Sequence, residues 1–482
     1  MTRQVRTNPF APNPLARWGL LSAVAVLSFI GALMAFSVSG TSKATTSGLN
    51  FTNGFKMLVF IAVGALAAFI ISRINYRKLE PWAVITALIC VAALVAVFFF
   101  KDANGAHRWI DLKVITIQPS EFAKPILVTL LACACARLRD RVSNNTQRRN
   151  VRRRLLNRDM LKGNWPHIAL IAASLILIIC EPDFGTVLIL AVTLFVAYIL
   201  CDWPVIVPAI LAGCAVPILA LRVFVFSDKT NYIRTRVLEF FSAKTGGGAT
   251  PDQNLQAEYA FGSGGILGQG PGLSRQKYTW LYAADDDFVL AVVGEELGLV
   301  GTFLVLAGFA TILLAGIRIA LSARDRLGRA LAGASTICLV FQAVLNIFVA
   351  TGMMPVSGKP LPFVTMGGSS TIASFMLVGL IMSVARFGHL APDGIGRSTG
   401  RTADDESDRP GRGNSNRGGK SGRKSGSDGT RRKRGGSGRG RGTGSGRRGR
   451  ARDTDEGEVT DDADDFEWRW DSRAYLPGAC RG

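Results

Sequence analysis

The feature that most constrains this chain is a series of apolar runs, each about as long as a helix needs to cross a bilayer. "WGLLSAVAVLSFIGALMAF", "KMLVFIAVGALAAFIISRI" and "PWAVITALICVAALVAVFFF" open the series. About 20 residues, rising 1.5 Å each, match a hydrocarbon layer of roughly 30 Å. By that length criterion about ten spans are expected, near 17–38, 55–73, 81–100, 118–137, 167–181, 184–201, 204–224, 288–316, 331–352 and 370–388. The fold class that follows is an all-α polytopic membrane protein occupying residues 17–390, after a short N-terminal segment, 1–16.

Cations orient the bundle. Arg137 to Lys162, "RINYRKLE" and "RDRLGR" are the basic connections, and with ten spans they share one side with both termini, which the positive-inside rule makes the cytoplasm. The other side then receives "EPDFGT", "PVSGKPLPFVTMGG" and a large extracytoplasmic loop, 225–287, between the seventh and eighth spans. The first run is too long for a signal-peptide core and is expected to stay as an anchor in the membrane. The eight cysteines fall in or beside spans or in the tail, a distribution that argues against a disulfide framework, and the three histidines have no zinc-site spacing.

A mean hydropathy of +0.26 beside a net charge of +21 calls for two parts of opposite character. The second part begins at about residue 391. Its Gly, Ser and Arg run, followed by the acidic "DTDEGEVTDDADDFE", has too little apolar surface to fold. Residues 391–482 are therefore expected to be a disordered cytoplasmic tail. Anionic lipid or an acidic protein partner is the favoured target; nucleic acid is the weaker reading, since no folded RNA-binding module accompanies the arginines.

Four polar stretches then need explaining, because carboxylates and lysines near hydrocarbon mark functional sites by default. In "HRWIDLKVITIQPSEFAKP", Pro119 and Glu121 suit the first turn of a helix, and Glu121 and Lys124 share one face, as an ion pair or as substrate-facing groups. "EPDFGT" breaks the chain between two spans, and a helix-hairpin turn accounts for it without a functional role. The outer loop carries Arg234 and Arg236 and the glycine-rich "FGSGGILGQGPGLSRQK", which permits close backbone approach and offers cations to a phosphate. "PVSGKPLPFVTMGGSS", with Lys359 and Ser369, is a non-helical segment at membrane depth, tolerated where it lines a cavity. Were the eighth helix to start near Asp287, Glu295 and Glu296 would lie roughly 12–14 Å along it, facing the bundle or a wet cavity.

In series, "HRWIDL…QPSEFAK", "EPDFGT", "FGSGGILGQG…DDDFVLAVVGEELGLVG" and "PVSGKPLPFVTMGGSS" resemble the signature segments of the SEDS family (shape, elongation, division and sporulation) across about residues 15–390. "SRQKYTWL" favours its septal branch over its elongation branch. The resemblance implies a glycosyltransferase that polymerises lipid II into β-1,4 glycan outside the membrane, beside a class B penicillin-binding protein and other cell-division proteins. It puts Asp287 in the position of the family's essential aspartate. Tyr282, Ala283 and Asp285 stand where the family often has Pro, Glu and His, so any role of that Glu or His would pass to Asp285 or Asp286. Trp109, Glu121 and Lys124 would line the site, with Arg234, Lys359 and Ser369 joining them at the substrate.

The chemistry gives the carboxylate a task. A sugar held on a diphosphate has a good leaving group and needs cations more than a general acid. The incoming hydroxyl is a poor nucleophile, and a placed carboxylate that takes its proton contributes typically 10²–10⁴-fold. Asp287 is expected to be this base, with inversion at the anomeric carbon. Lys124, Arg234 and Lys359 would offset the diphosphate charge, and Asp285 and Asp286 are candidate ligands for Mg2+ or Mn2+, oxygen-preferring ions. No organic cofactor is expected. The competing readings are a flippase for the lipid-linked precursor, which would also need polar groups facing a cavity, and an elongation-type polymerase.

Overall fold

The computed structural model describes residues 14–39, 52–100, 108–111, 116–144, 165–181, 183–201, 253–279 and 287–390. The seventh expected span, Arg234, Asp285, Asp286 and the tail lie outside the described residues. The helices, in chain order, are α1 (Pro14–Ser39), α2 (Thr52–Arg73), α3 (Ala83–Val97), α4 (Pro119–Asn144), α5 (Trp165–Cys180), α6 (Phe184–Leu200), α7 (Gln253–Gly264), α8 (Gln276–Thr279), α9 (Val289–Glu296), α10 (Gly298–Ser322), α11 (Arg326–Ala350) and α12 (Gly368–Phe387). A small antiparallel hairpin, β1 (Ile110–Asp111) with β2 (Thr116–Ile117), precedes α4.

Six of these helices, α1, α2, α4, α10, α11 and α12, contain stretches long and apolar enough to cross a membrane; α3, α5 and α6 are shorter apolar helices. The outward faces carry large apolar side chains such as Leu66, Phe69, Phe303, Leu314 and Leu321, which suits hydrocarbon rather than water. The protein is a multi-pass helical membrane protein. As expected from sequence, α4 opens at Pro119 with Glu121 in its first turn.

The expected eighth span, 288–316, is instead two helices. α9 stops at Glu296, and α10 starts at Gly298 with a positive φ of 65°. Breaking a helix frees carbonyls at one end and N–H groups at the other. Here the glycine-rich loop satisfies both sets. Gln269 N–H donates to Glu295 O (2.9 Å) and Gly270 N–H to Glu296 O (3.0 Å), while Leu299 N–H reaches Gly265 O (3.0 Å) and Val300 N–H reaches Ile266 O (3.2 Å). A Cβ at position 298 would sit 2.3 Å from Gly268 N, so only glycine lets the loop lie there. The segment expected as one outer loop thus contains α7, packed on α9.

Residues 351–367 form no helix or strand. Their carbonyl at Phe363 approaches Gly31 of α1 so closely that a Cβ there would stand 2.1 Å away. Gly31 lies eight residues before the end of α1, about 12 Å along its axis, so the segment does enter the bundle at depth. Some of its main-chain groups pair within the segment: Leu361 N–H donates to Thr365 Oγ1 (2.8 Å) and Gly367 N–H to Thr365 O (2.8 Å). Phe363 turns the chain with a φ of 67°, the one positive value at a non-glycine among the described residues.

The opposite end of the bundle is clasped by Asp325. Its carboxylate caps α11 through Gly328 N–H (3.2 Å), accepts from Tyr76 Oη and pairs with Arg77 Nη2 (3.1 Å). The same Arg77 nitrogen holds Leu390 O (3.0 Å) after α12.

Candidate active site

Two buried ion pairs form the centre. On α4, Lys124 Nζ donates to Glu121 Oε2 (2.5 Å), the same-face pairing that three-residue spacing predicts, and to Gln342 Oε1 of α11 (2.5 Å). From the re-entrant segment, Lys359 Nζ lies 2.8 Å from Asp183, 2.6 Å from Thr186 Oγ1 and 3.6 Å from Glu121 Oε1. All four charged side chains are at most 2% exposed. Removing such charges from water is tolerable only when each is paired and hydrogen-bonded, and here the chain is continuous from α4 through the segment to α6.

Asp183 is the group that sequence reasoning assigned to a turn. It is indeed the N-cap of α6, accepting from Thr186 N–H (3.2 Å). The same carboxylate also takes Ser120 Oγ (2.9 Å), Thr186 Oγ1 (2.9 Å) and the Lys359 ammonium. Burial works against its ionisation, yet Lys359 and Arg108 hold it well below the usual carboxylate range. A Cβ at Gly185 would meet the Lys359 side chain at 2.6 Å, so this glycine makes room for the lysine.

Asp287 precedes α9 and is 6% exposed. Its Oδ2 accepts from Gly358 N–H (3.2 Å), next to Lys359, and its main-chain oxygen accepts from Asn346 Nδ2 (3.1 Å), which also reaches Lys359 O (2.9 Å). Asp287, Glu121, Lys124 and Lys359, spread over 239 residues of sequence from 121 to 359, are therefore joined in one network. Ser369 joins too, accepting from Gln118 N–H (3.1 Å). Trp109 is 39% exposed on the hairpin; its neighbour Arg108 donates through Nε to Glu181 O (3.1 Å).

Gln342 and Asn346 were not singled out from sequence. The available signal was two amides four residues apart in an apolar span, which puts them on one helical face. Glu295 and Glu296 are buried, facing the bundle as expected, and both hold the glycine-rich loop. Glu295 accepts from Ser274 Oγ (2.5 Å) and Arg275 N–H (2.8 Å), and Glu296 accepts from Lys277 Nζ (2.5 Å), Ser37 Oγ (2.5 Å) and Gly272 N–H (3.0 Å). They bind the outer loop to the bundle. Among the described residues no group of three or more His, Cys, Asp or Glu could hold a metal.

A family model for cell cycle proteins of the FtsW, RodA and SpoVE type matches residues 18–389. The chain belongs to this family. It is 32% identical over 380 residues to a probable peptidoglycan glycosyltransferase FtsW from Trichlorobacter lovleyi, covering 77% of this chain and 93% of that protein. It is 31% identical over 372 residues to the stage V sporulation protein E of Bacillus subtilis (75% and 94% covered), and 33% over 334 residues to the peptidoglycan glycosyltransferase MrdB of Escherichia coli (67% and 83%). The fold is similar to a chain from a peptidoglycan synthase complex that coordinates polymerization and crosslinking (TM-score 0.57, 24% identity, covering 77% and 97%). It is also similar to the rod shape determining protein RodA of Thermus thermophilus (TM-score 0.53, 23% identity, 78% and 98%). Membership of this SEDS family is what the four sequence stretches implied, and all four supply the central network.

Proposed function

We propose that the chain is a peptidoglycan glycosyltransferase that polymerises lipid II, with Asp287 as the base. The observation that carries this reading is the coupling of Asp287 to Lys359: one carboxylate and one ammonium, from distant segments, tied through Gly358 N–H and Asn346. A base needs to stand within hydrogen-bond reach of the acceptor hydroxyl, and a cation needs to face the departing diphosphate. In this reading Asp287 removes the proton of the glycan hydroxyl as its oxygen attacks the anomeric carbon from the side opposite the diphosphate. The C–O bond to the diphosphate breaks with its electron pair, and the α linkage becomes β.

Lys359 and Lys124, already bonded to Asp183 and Glu121, supply fixed positive potential with little reorganisation. Arg234 and Trp109 are assigned to the substrate on sequence grounds. Mg2+ or Mn2+ at Asp285 and Asp286 extends the same reading, where it would add positive charge beside the diphosphate. Chelator-sensitive polymer synthesis restored by either ion would support the extension, and insensitivity would remove it. The termini face the cytoplasm, the work is septal, and a class B penicillin-binding protein is the partner.

The test is polymer formation from labelled lipid II in detergent, with the transpeptidase partner present. Asp287→Asn, nearly the same shape, is expected to lose 10²–10⁴-fold. Normal polymerisation by that variant would remove the base assignment. Detergent abolishes sidedness, so polymer made there also separates this reading from a flippase.

A further inference from the structure

Asn346 makes an unusual set of contacts. It is fully buried on α11, and its Nδ2 donates to two main-chain oxygens, those of Asp287 (3.1 Å) and Lys359 (2.9 Å). Both acceptors are carbonyls, which cannot donate, so the orientation of the amide follows from the chemistry. Its Oδ1 is buried with no hydrogen-bond partner. An apolar residue of equal shape would avoid that orphaned acceptor, which buried groups rarely tolerate. One turn earlier on the same face, Gln342 repeats the pattern. It accepts from Lys124 Nζ (2.5 Å) and donates to Pro360 O (2.8 Å). Two amides four residues apart thus register α11 against α4, the re-entrant segment and the turn before α9.

We propose that Asn346 is a positioning residue for glycosyl transfer, its amide holding the main chains of Asp287 and Lys359 at the spacing that lets carboxylate and ammonium act on one substrate. This rests on reading Asp287 as the base. Asn346 itself touches no reacting atom. It sets where Gly358 N–H meets the Asp287 carboxylate, and displacements of about 1 Å in such constellations can cost on the order of 100-fold in rate.

The test compares wild type, Asn346→Leu and Asp287→Asn, each as the full chain with its transpeptidase partner, on labelled lipid II. Asn346→Leu is expected to lower kcat by about 10- to 100-fold while KM stays within about twofold, since ground-state binding is not the property lost. A purely structural residue would lower the folded yield and leave kcat and KM unchanged in the folded fraction. Wild-type kcat in Asn346→Leu, with Asp287→Asn inactive, overturns the positioning role alone. An active Asp287→Asn overturns the base reading and this proposal with it. Should Asn346→Leu not fold, Asn346→Asp keeps the shape while losing the paired donor, and the same two readouts decide.

Discussion

At the scale of single residues, the site is a lesson in how buried charge is kept. Lys359 and Asp183 are each 2% exposed at the side chain and lie 2.8 Å apart. Lys359→Met should destabilise by about 3–5 kcal/mol, because it strands a buried carboxylate, whereas Lys359→Met with Asp183→Leu should cost less than either change alone. Thermal unfolding in detergent checks this, and additive losses would contradict the coupling. The same pair has a pH signature. A carboxylate held below its usual range contributes stability that is fully present above about pH 4 and is lost as pH falls through its lower folded value. The unfolding temperature of Asp183→Asn, compared with wild type, should therefore lack the acid-side decline contributed by this group, with no difference in slope between about pH 5 and 7. Glu121 and Lys124 were legible from their spacing in sequence. Asp183 was not, because capping a helix is a sufficient reason for an aspartate after a proline, and the lysine that gives it a second task lies 176 residues away.

At the scale of elements, hydropathy located the apolar helices but could not locate the break at residue 297. The apolar run continues across it, and what makes the break affordable is main-chain pairing with a loop about 30 residues earlier. The same distance hid the partners of Glu295 and Glu296. Glu296→Ala should leave the Lys277 ammonium, fully buried in its pair, uncompensated, at about 3–5 kcal/mol locally. The expected result is faster amide exchange and proteolysis across 264–279, with α11 and α12 unchanged; an unaltered loop would show that the backbone bonds alone suffice. Gly31→Ala places a methyl against Phe363 O and is expected to lower stability by about 1–3 kcal/mol through overpacking of the re-entrant segment, measurable by thermal unfolding. The depth of that segment was legible from its prolines and glycines, but its close approach to α1 was not.

At the scale of the whole molecule, the fold and the family account for residues 18–389, and the basic then acidic remainder is expected to act outside catalysis. A chain ending at Leu390 should polymerise lipid II in vitro within about twofold of full length, on the separation of apolar and low-complexity parts, while losing enrichment at the septum in dividing cells. Loss of synthesis in vitro would contradict that separation. The Arg77 clasp adds a mechanical consequence. Leu390 O, Arg77 and Asp325 are bonded in sequence, and Asp325 caps the helix that carries Asn346 about 30 Å farther on. Loosening this clasp would therefore free the foot of that helix and the exit of α12 together, because one guanidinium and one carboxylate moor both.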